Sequence, residues 1–313
     1  VTERMSGADA ARDLSADALV GVADILRCPV CGGAVEADRR AVRCGSGHVF
    51  DRARQGYVSM LSRPLKFHGD DAVMVGARGA VLDSGLYDPL LRAVAAAGAE
   101  ALAAVDVDAG PAPGAPLAVD LGCGTGRYLA GVLELAGEAR GIGIDASKAA
   151  VRAAARAHPR AAALLGDAWA ELPLADSSAG LIMSVFAPRN SAAYRRVLAP
   201  GGAVMVVAPE PGHLAELVEG VGLLRVDERK QERLAAALDG FGEVRAETVR
   251  WSMRTTREQL AAIVGMGPSA RHLDAAEVQA RIARLPADQA VTGAVTVRVF
   301  RRGAPAVRSA PPP

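Results

Sequence analysis

Val119-Asp-Leu-Gly-Cys-Gly-Thr-Gly126 decides the fold of this 313-residue chain. An apolar run, Leu117 to Leu121, leads into it, and a helical stretch, Arg127 to Ala136, follows it. Strand, glycine turn and helix in that order let a ligand approach bare backbone. Spacing then limits the ligand. A dinucleotide fingerprint needs its third glycine at position 127, where Arg127 stands, and a phosphate loop needs Gly-Lys-Ser/Thr, which is absent here. Neither a nicotinamide dinucleotide nor ATP fits well.

Outward from this turn, short apolar runs alternate with helical stretches: Gly141 to Ile144, Ala162 to Leu165, Gly180 to Phe186 and Ala203 to Ala208. Strands separated by helices predict an α/β fold, a Rossmann-like doubly wound parallel sheet. Pro200-Gly-Gly202 reads as the turn that launches the last of these runs. Val291 to Phe300 reads as a further strand and Arg254 to Val264 as a helix. On the N-terminal side, Ala72 to Ala104 has helical spacing broken at Tyr87-Asp-Pro89, and Asp106 to Pro116 is a Gly/Pro-rich spacer. The expected organisation is a tail over 1–24, a small module over 25–62, a connector with helices over 63–116, the α/β domain over 117–302 and a tail over 303–313.

The module carries Cys28, Cys31, Cys44 and His48, spaced C-x2-C-x12-C-x3-H. Two turns that each present a pair of sulfur or imidazole ligands match the tetrahedral preference of zinc. So short a unit buries too little surface to fold alone, whereas zinc supplies roughly 10–16 kcal/mol of apparent binding energy. Four protein ligands leave no open position, which makes the expected role structural. Two other readings stand beside it: free buried cysteines with a surface histidine, and a redox Cys-x-x-Cys. Arg27, Arg39, Arg40, Arg43, Arg52 and Arg54 surround the ligands and suit either phosphate contacts or a solvated face.

With 36 Lys+Arg against 35 Asp+Glu, a net charge of +1 argues against a non-specific nucleic-acid coat. Cys123 is the one cysteine outside the cluster, so no pair is left for a disulfide framework, and a reducing cytoplasm is expected. No run of about twenty apolar residues is present, and acidic residues interrupt the first 26, so neither a membrane span nor a signal peptide is expected.

Asp120-Leu-Gly-Cys-Gly-Thr-Gly126 resembles the first motif of class I S-adenosylmethionine-dependent methyltransferases. That likeness implies cofactor contacts from Asp120, Gly122, Gly124, Thr125 and Gly126. It also implies a ribose-binding role for Asp145, at the end of Gly141-Ile-Gly-Ile-Asp145, and an adenine-edge role for Asp167. Carboxylates can accept from hydroxyl and amino groups. Helix capping is the other reading of Asp145.

Taken with Phe50-Asp-Arg-Ala-Arg-Gln-Gly-Tyr-Val-Ser-Met-Leu61, Leu82-Asp-Ser-Gly-Leu-Tyr-Asp-Pro-Leu90, Phe186-Ala-Pro-Arg-Asn190 and His213-Leu-Ala-Glu-Leu217, the chain resembles the RlmA-type ribosomal RNA guanine-N1 methyltransferases, including the TlrB-like macrolide-resistance enzymes. The likeness runs from Leu26 to Arg301. It implies a Cys3His zinc site that helps grip an RNA hairpin, transfer to guanine N1 of 23S ribosomal RNA near the macrolide tunnel, and homodimers in some members. It adds Tyr87 and His213 as cofactor contacts, although Tyr87 could be core and His213 a helix cap. Phe186-Ala-Pro-Arg-Asn replaces the Asn/Asp-Pro-Pro-Tyr of exocyclic-amine enzymes, which favours a ring nitrogen. Asp70, Asp71 and Glu210 are candidates for a general base, and the sequence does not rank them. A small-molecule methyltransferase of antibiotic biosynthesis and an inactive zinc-dependent RNA-binding protein are the alternative functions.

Overall fold

The computed structural model describes residues 17–67, 69–105, 115–187, 189–224 and 238–303. Most of the expected Gly/Pro spacer, residues 1–16 and residues 304–313 lie outside these.

The run entering the glycine turn is β5 (Leu117–Leu121), buried at every position. Beside it lie β6 (Arg140–Asp145), β7 (Ala161–Leu165), β8 (Ala179–Val185) and β9 (Leu198–Pro209), all parallel. Strands covered on both faces read as continuous apolar runs, which is why each was legible. The expected turn at Pro200-Gly-Gly202 falls inside β9, where the register slips opposite Ala179 to Leu181. Two long antiparallel strands, β10 (Phe241–Thr255) and β11 (Gln289–Arg302), complete the far side.

β10 was not expected as a strand. Its first inward positions are Glu243, Arg245 and Glu247, and only at Val249, Trp251 and Met253 does the inward face become apolar. The helix expected from Arg254 begins instead at Arg257, after a capping box in which Thr256 and Gln259 exchange hydrogen bonds.

The module's hairpins β1 (Val35–Ala37), β2 (Ala41–Cys44) and β3 (Val49–Asp51) form their own sheet. Its last strand, β4 (Val58–Ser59), leaves that sheet and pairs in parallel with β7, giving the order β10-β11-β9-β8-β5-β6-β7-β4. Val42, Val58 and Cys28 share one buried cluster with Ile144 and Leu174. The module and the large sheet therefore have a common core. Residues 17–24, expected to belong to a tail, pack here as well. Leu19 and Val22 are buried in the same cluster, and Arg140 holds Asp24 at 2.9 Å. The period of Leu19, Val22 and Leu26 is helical and apolar, a signal that the alanine-rich composition obscured.

Beyond the helical turn at residues 17–20, the α-helices are α1 (Ala72–Asp83), α2 (Asp88–Ala103), α3 (Arg127–Leu135), α4 (Lys148–Ala154), α5 (Ser191–Val197), α6 (Ala215–Val221), α7 (Arg257–Gly265) and α8 (Ala275–Ala283). Asp71 caps the start of α1 by accepting from the Met74 N–H, and at its other end Gly85 takes left-handed backbone at φ 81° before Pro89 sits in the first turn of α2, so the break at 84–87 has a cause at each side. α2 lies on α3 so closely that a Cβ at Gly98 would stand 2.5 Å from Val132.

Gly293 on β11 is the tightest such position. A Cβ there would fall 2.2 Å from the Trp251 ring, whose Nε1 donates to the Leu86 carbonyl. Gly293→Ala is expected to destabilise the fold by about 2–3 kcal/mol through overpacking. A thermal melt unchanged from wild type would contradict that close packing.

Candidate functional site

Three glycines of the turn take left-handed backbone, Gly122 at φ 76°, Gly124 at 53° and Gly126 at 78°. A side chain at Gly126 would also meet Ala157 and Ala154 at about 3 Å, so the turn can press onto α4 only without one. Asp145, at the end of β6, accepts from the Gly124 N–H at 2.9 Å through Oδ2 and from the Ser147 N–H at 2.8 Å through Oδ1. It thus pins the turn's shape, while Ser147 rather than Asp145 caps α4. A carboxylate has further lone pairs, so this bonding leaves capacity for a ligand's hydroxyls.

Asp120 ends the strand just before the turn. It is buried, and among the described residues neither of its oxygens has a hydrogen-bond partner. Burial, with a smaller contribution from the negative charge of Asp145, pushes its carboxyl up to about 7. A buried carboxylate without a partner is costly, and a cationic ligand group would relieve it. Thr125 is buried at the tip of the turn.

The remaining predicted residues gather at the same carboxyl edge of the parallel strands. Asp167, just past β7, accepts from the Trp169 N–H at 2.9 Å. Asn190 donates to the Ala168 and Ala170 carbonyls, each at 3.0 Å, and caps α5, so it ties the start of that helix to the Asp167 loop. Phe186 takes a left-handed backbone and stays half exposed, its ring stacked on His213 with centroids 6.2 Å apart. His213 does not cap α6. Its Nδ1 accepts from the Ala294 N–H at 3.1 Å, which puts the proton of a neutral ring on Nε2. Tyr87 is buried edge-on to Trp251 at 5.4 Å and to His213 at 6.5 Å, and its hydroxyl has no partner among the described residues.

The three candidate bases are otherwise engaged. Asp71 caps α1, Glu210 accepts from the Thr296 hydroxyl, and Asp70 is ion-paired to Arg78 at 2.6 Å. Sequence reading missed Arg78. Its signal was present: Met74, Val75, Arg78, Val81 and Leu82 share one helical face, and four of the five are buried apolar residues.

In the module, Cys28, Cys31, Cys44 and His48 bring one ligand atom each to within 4.8 Å of one another. Cys28 Sγ lies 3.5 Å from His48 Nδ1, close to the ~3.5 Å edge expected of a tetrahedron with zinc–ligand bonds of ordinary length. A hydrogen bond from the Gly33 backbone lowers the Cys31 thiol, one from Ser46 lowers Cys44, and burial raises Cys28. The donor set fits zinc. Between the module and residues 170–178 runs a cleft of about 1130 Å³, lined by Arg27, Arg63 and Arg196 but also by Asp24, Glu171 and Asp176, so its charge selects no anion.

The strand order, the glycine turn and the acidic ends of β5 and β6 define a class I methyltransferase, and residues 118–202 match the Methyltransferase domain family. Residues 26–66 match the family of the RlmA N-terminal zinc ribbon. The chain is 47% identical to the 23S rRNA (guanine(748)-N(1))-methyltransferase of Streptomyces fradiae over 88% of this chain and 96% of that one. It is 46% identical to a Micromonospora griseorubida protein whose name gives 23S rRNA guanine-N1 methylation as provisional, over 88% of this chain and 97% of that one. This chain belongs to the 23S rRNA (guanine-N1)-methyltransferase family. Among the described residues no helix is long and apolar enough to cross a membrane.

Proposed function

We propose that this chain methylates N1 of a guanine in a hairpin of 23S ribosomal RNA, with S-adenosylmethionine as donor. The observation that carries the reading is the joining of a Cys3His ribbon, through β4, to the strand that leads into Asp167. An RNA-gripping module and a methyl-donor site are thereby built onto one sheet. The expected domains are kept as part of this reading, with residues 17–24 now added to the ribbon.

When bound, the donor supplies a methyl already activated as a sulfonium. The protein's task is therefore chiefly to position the acceptor. Asp145 and Asp167 accept from the ribose hydroxyls and the adenine edge, the bare turn Gly122 to Gly126 admits the donor against backbone, and Asp120 faces its ammonium. Tyr87 and His213 close the side opposite the turn. Phe186 offers its exposed face to the target base, which must leave its pair at a cost of a few kcal/mol. Cys28, Cys31, Cys44 and His48 hold a structural zinc. The enzyme works in the cytoplasm, and association of two copies is part of the same reading.

Incubating the protein with stripped 23S ribosomal RNA and labelled donor should place one methyl on guanine N1, read as a reverse-transcriptase stop and by mass mapping. Label confined to other atoms, or no label at all, would reject the assignment. A small-molecule acceptor would leave the ribbon without a task. A macrolide-sensitivity comparison of strains with and without the gene tests the resistance role.

A further inference from the structure

We propose that Arg78 binds the carboxylate of the donor's amino-acid end, exchanging Asp70 for it as the donor enters. This rests on the reading of the glycine turn as a methyl-donor site.

Arg78 reaches from α1 across the turn. The place a Cβ would take at Gly124 lies 3.3 Å from its Nη1 and 3.6 Å from its Cδ. Nη2 donates to Asp70 Oδ2 at 2.6 Å and to the Met266 carbonyl at 2.9 Å, whereas Nη1 makes no hydrogen bond among the described residues. A cation thus leans over bare backbone with a donor to spare. Asp120, on the strand entering the same turn, contributes two unpartnered carboxylate oxygens. Both charges are near enough to act on the half-buried Tyr128 phenol, at the start of the helix that follows the turn. A positive group and a negative group on either side of a glycine turn are the complement of a zwitterion. The amino-acid end of the donor is one.

The exchange asks little of the fold. Arg78 and Asp70 are each about a quarter exposed, so water and a ligand carboxylate can reach the pair. The Asp70 backbone stays fixed, because its carbonyl accepts from Ser147 Oγ and Gly69 lies against the Ser147 backbone. Only the Asp70 side chain needs to turn away. Arg78 is a binding residue, not a base.

Calorimetry on the full chain with two ligands tests this: S-adenosylhomocysteine, and 5′-methylthioadenosine, which keeps the adenosine and sulfur but lacks the amino-acid end. Arg78→Met should weaken S-adenosylhomocysteine by roughly 10-fold to 100-fold, the worth of a hydrogen bond to a charged group, and leave methylthioadenosine within about twofold. Arg78→Lys should recover part of the loss. Asp70→Asn, which removes the competing negative charge, should tighten S-adenosylhomocysteine and not methylthioadenosine. Equal losses for both ligands in Arg78→Met would make Arg78 a structural residue and overturn the proposal. So would an unchanged S-adenosylhomocysteine affinity in both variants. Wild-type protein that binds neither ligand would instead remove the methyl-donor reading itself.

Discussion

Cys44→Ala is expected to abolish ribosomal RNA methylation while leaving S-adenosylhomocysteine affinity within about threefold of wild type. A structural zinc contributes roughly 10–16 kcal/mol of apparent energy to a unit that cannot fold without it, so losing one ligand of four unfolds β1 to β3. The residues proposed to hold the cofactor lie on other elements, at or just after the ends of β5, β6, β7 and β9 and just before α2, and none belongs to the Cys3His cluster. Because the ribbon shares its core with the sheet, a lower melting temperature should accompany the loss, which chelation of the wild-type protein should reproduce. Filter binding to a 23S ribosomal RNA hairpin and calorimetry with S-adenosylhomocysteine separate the two effects. Full RNA binding by metal-free protein would refute the ribbon's role.

Asp120→Asn should act in opposite directions on stability and binding. The Asp120 carboxyl sits at about 7 in the fold against 3.8 when unperturbed. Below pH 4 it is neutral in the folded and unfolded chain alike and costs nothing. Between about 4 and 7 unfolding releases its proton, so stability falls as pH rises, and above 7 the loss stays constant at something on the order of 4 kcal/mol. Asparagine has no charge to desolvate, so at pH 8 the variant should melt several degrees higher than wild type and at pH 4 should melt alike. Its affinity for S-adenosylhomocysteine should drop about 10-fold to 100-fold at pH 8, because the ammonium loses its counter-charge. In the wild type the same affinity should climb as pH rises through 7. A variant that binds as well as wild type would show that Asp120 does not meet the ammonium.

How much of this was legible in the sequence depended on burial. Leu117 to Leu121 was read with the bounds that the structure gives it, because a strand enclosed by neighbours on both sides is apolar throughout. β10 was missed because its outer half turns charged residues toward a face that only Val249 to Met253 complete. β4 was missed because two residues carry no period. The ligands Cys28, Cys31, Cys44 and His48 were visible through spacing alone, since zinc geometry imposes it. Arg78 was hidden for the opposite reason: its neighbours Asp70, Met266 and Gly124 are distant from one another in the chain, and Met266 reaches it only through the packing of α1 on α7. Asp70, read as a candidate base, was a partner of that arginine.

β4 has one more effect, which concerns the protein's company and not its chemistry. Its two residues pair with Leu164 and Leu165 at the outer edge of β7, an apolar, buried strand whose backbone groups there would otherwise lack partners. Such an edge is a template for strands of other molecules. The ribbon therefore also shields part of that edge, and oxidation of its cysteines is expected to raise light scattering by exposing the edge to strands of other copies.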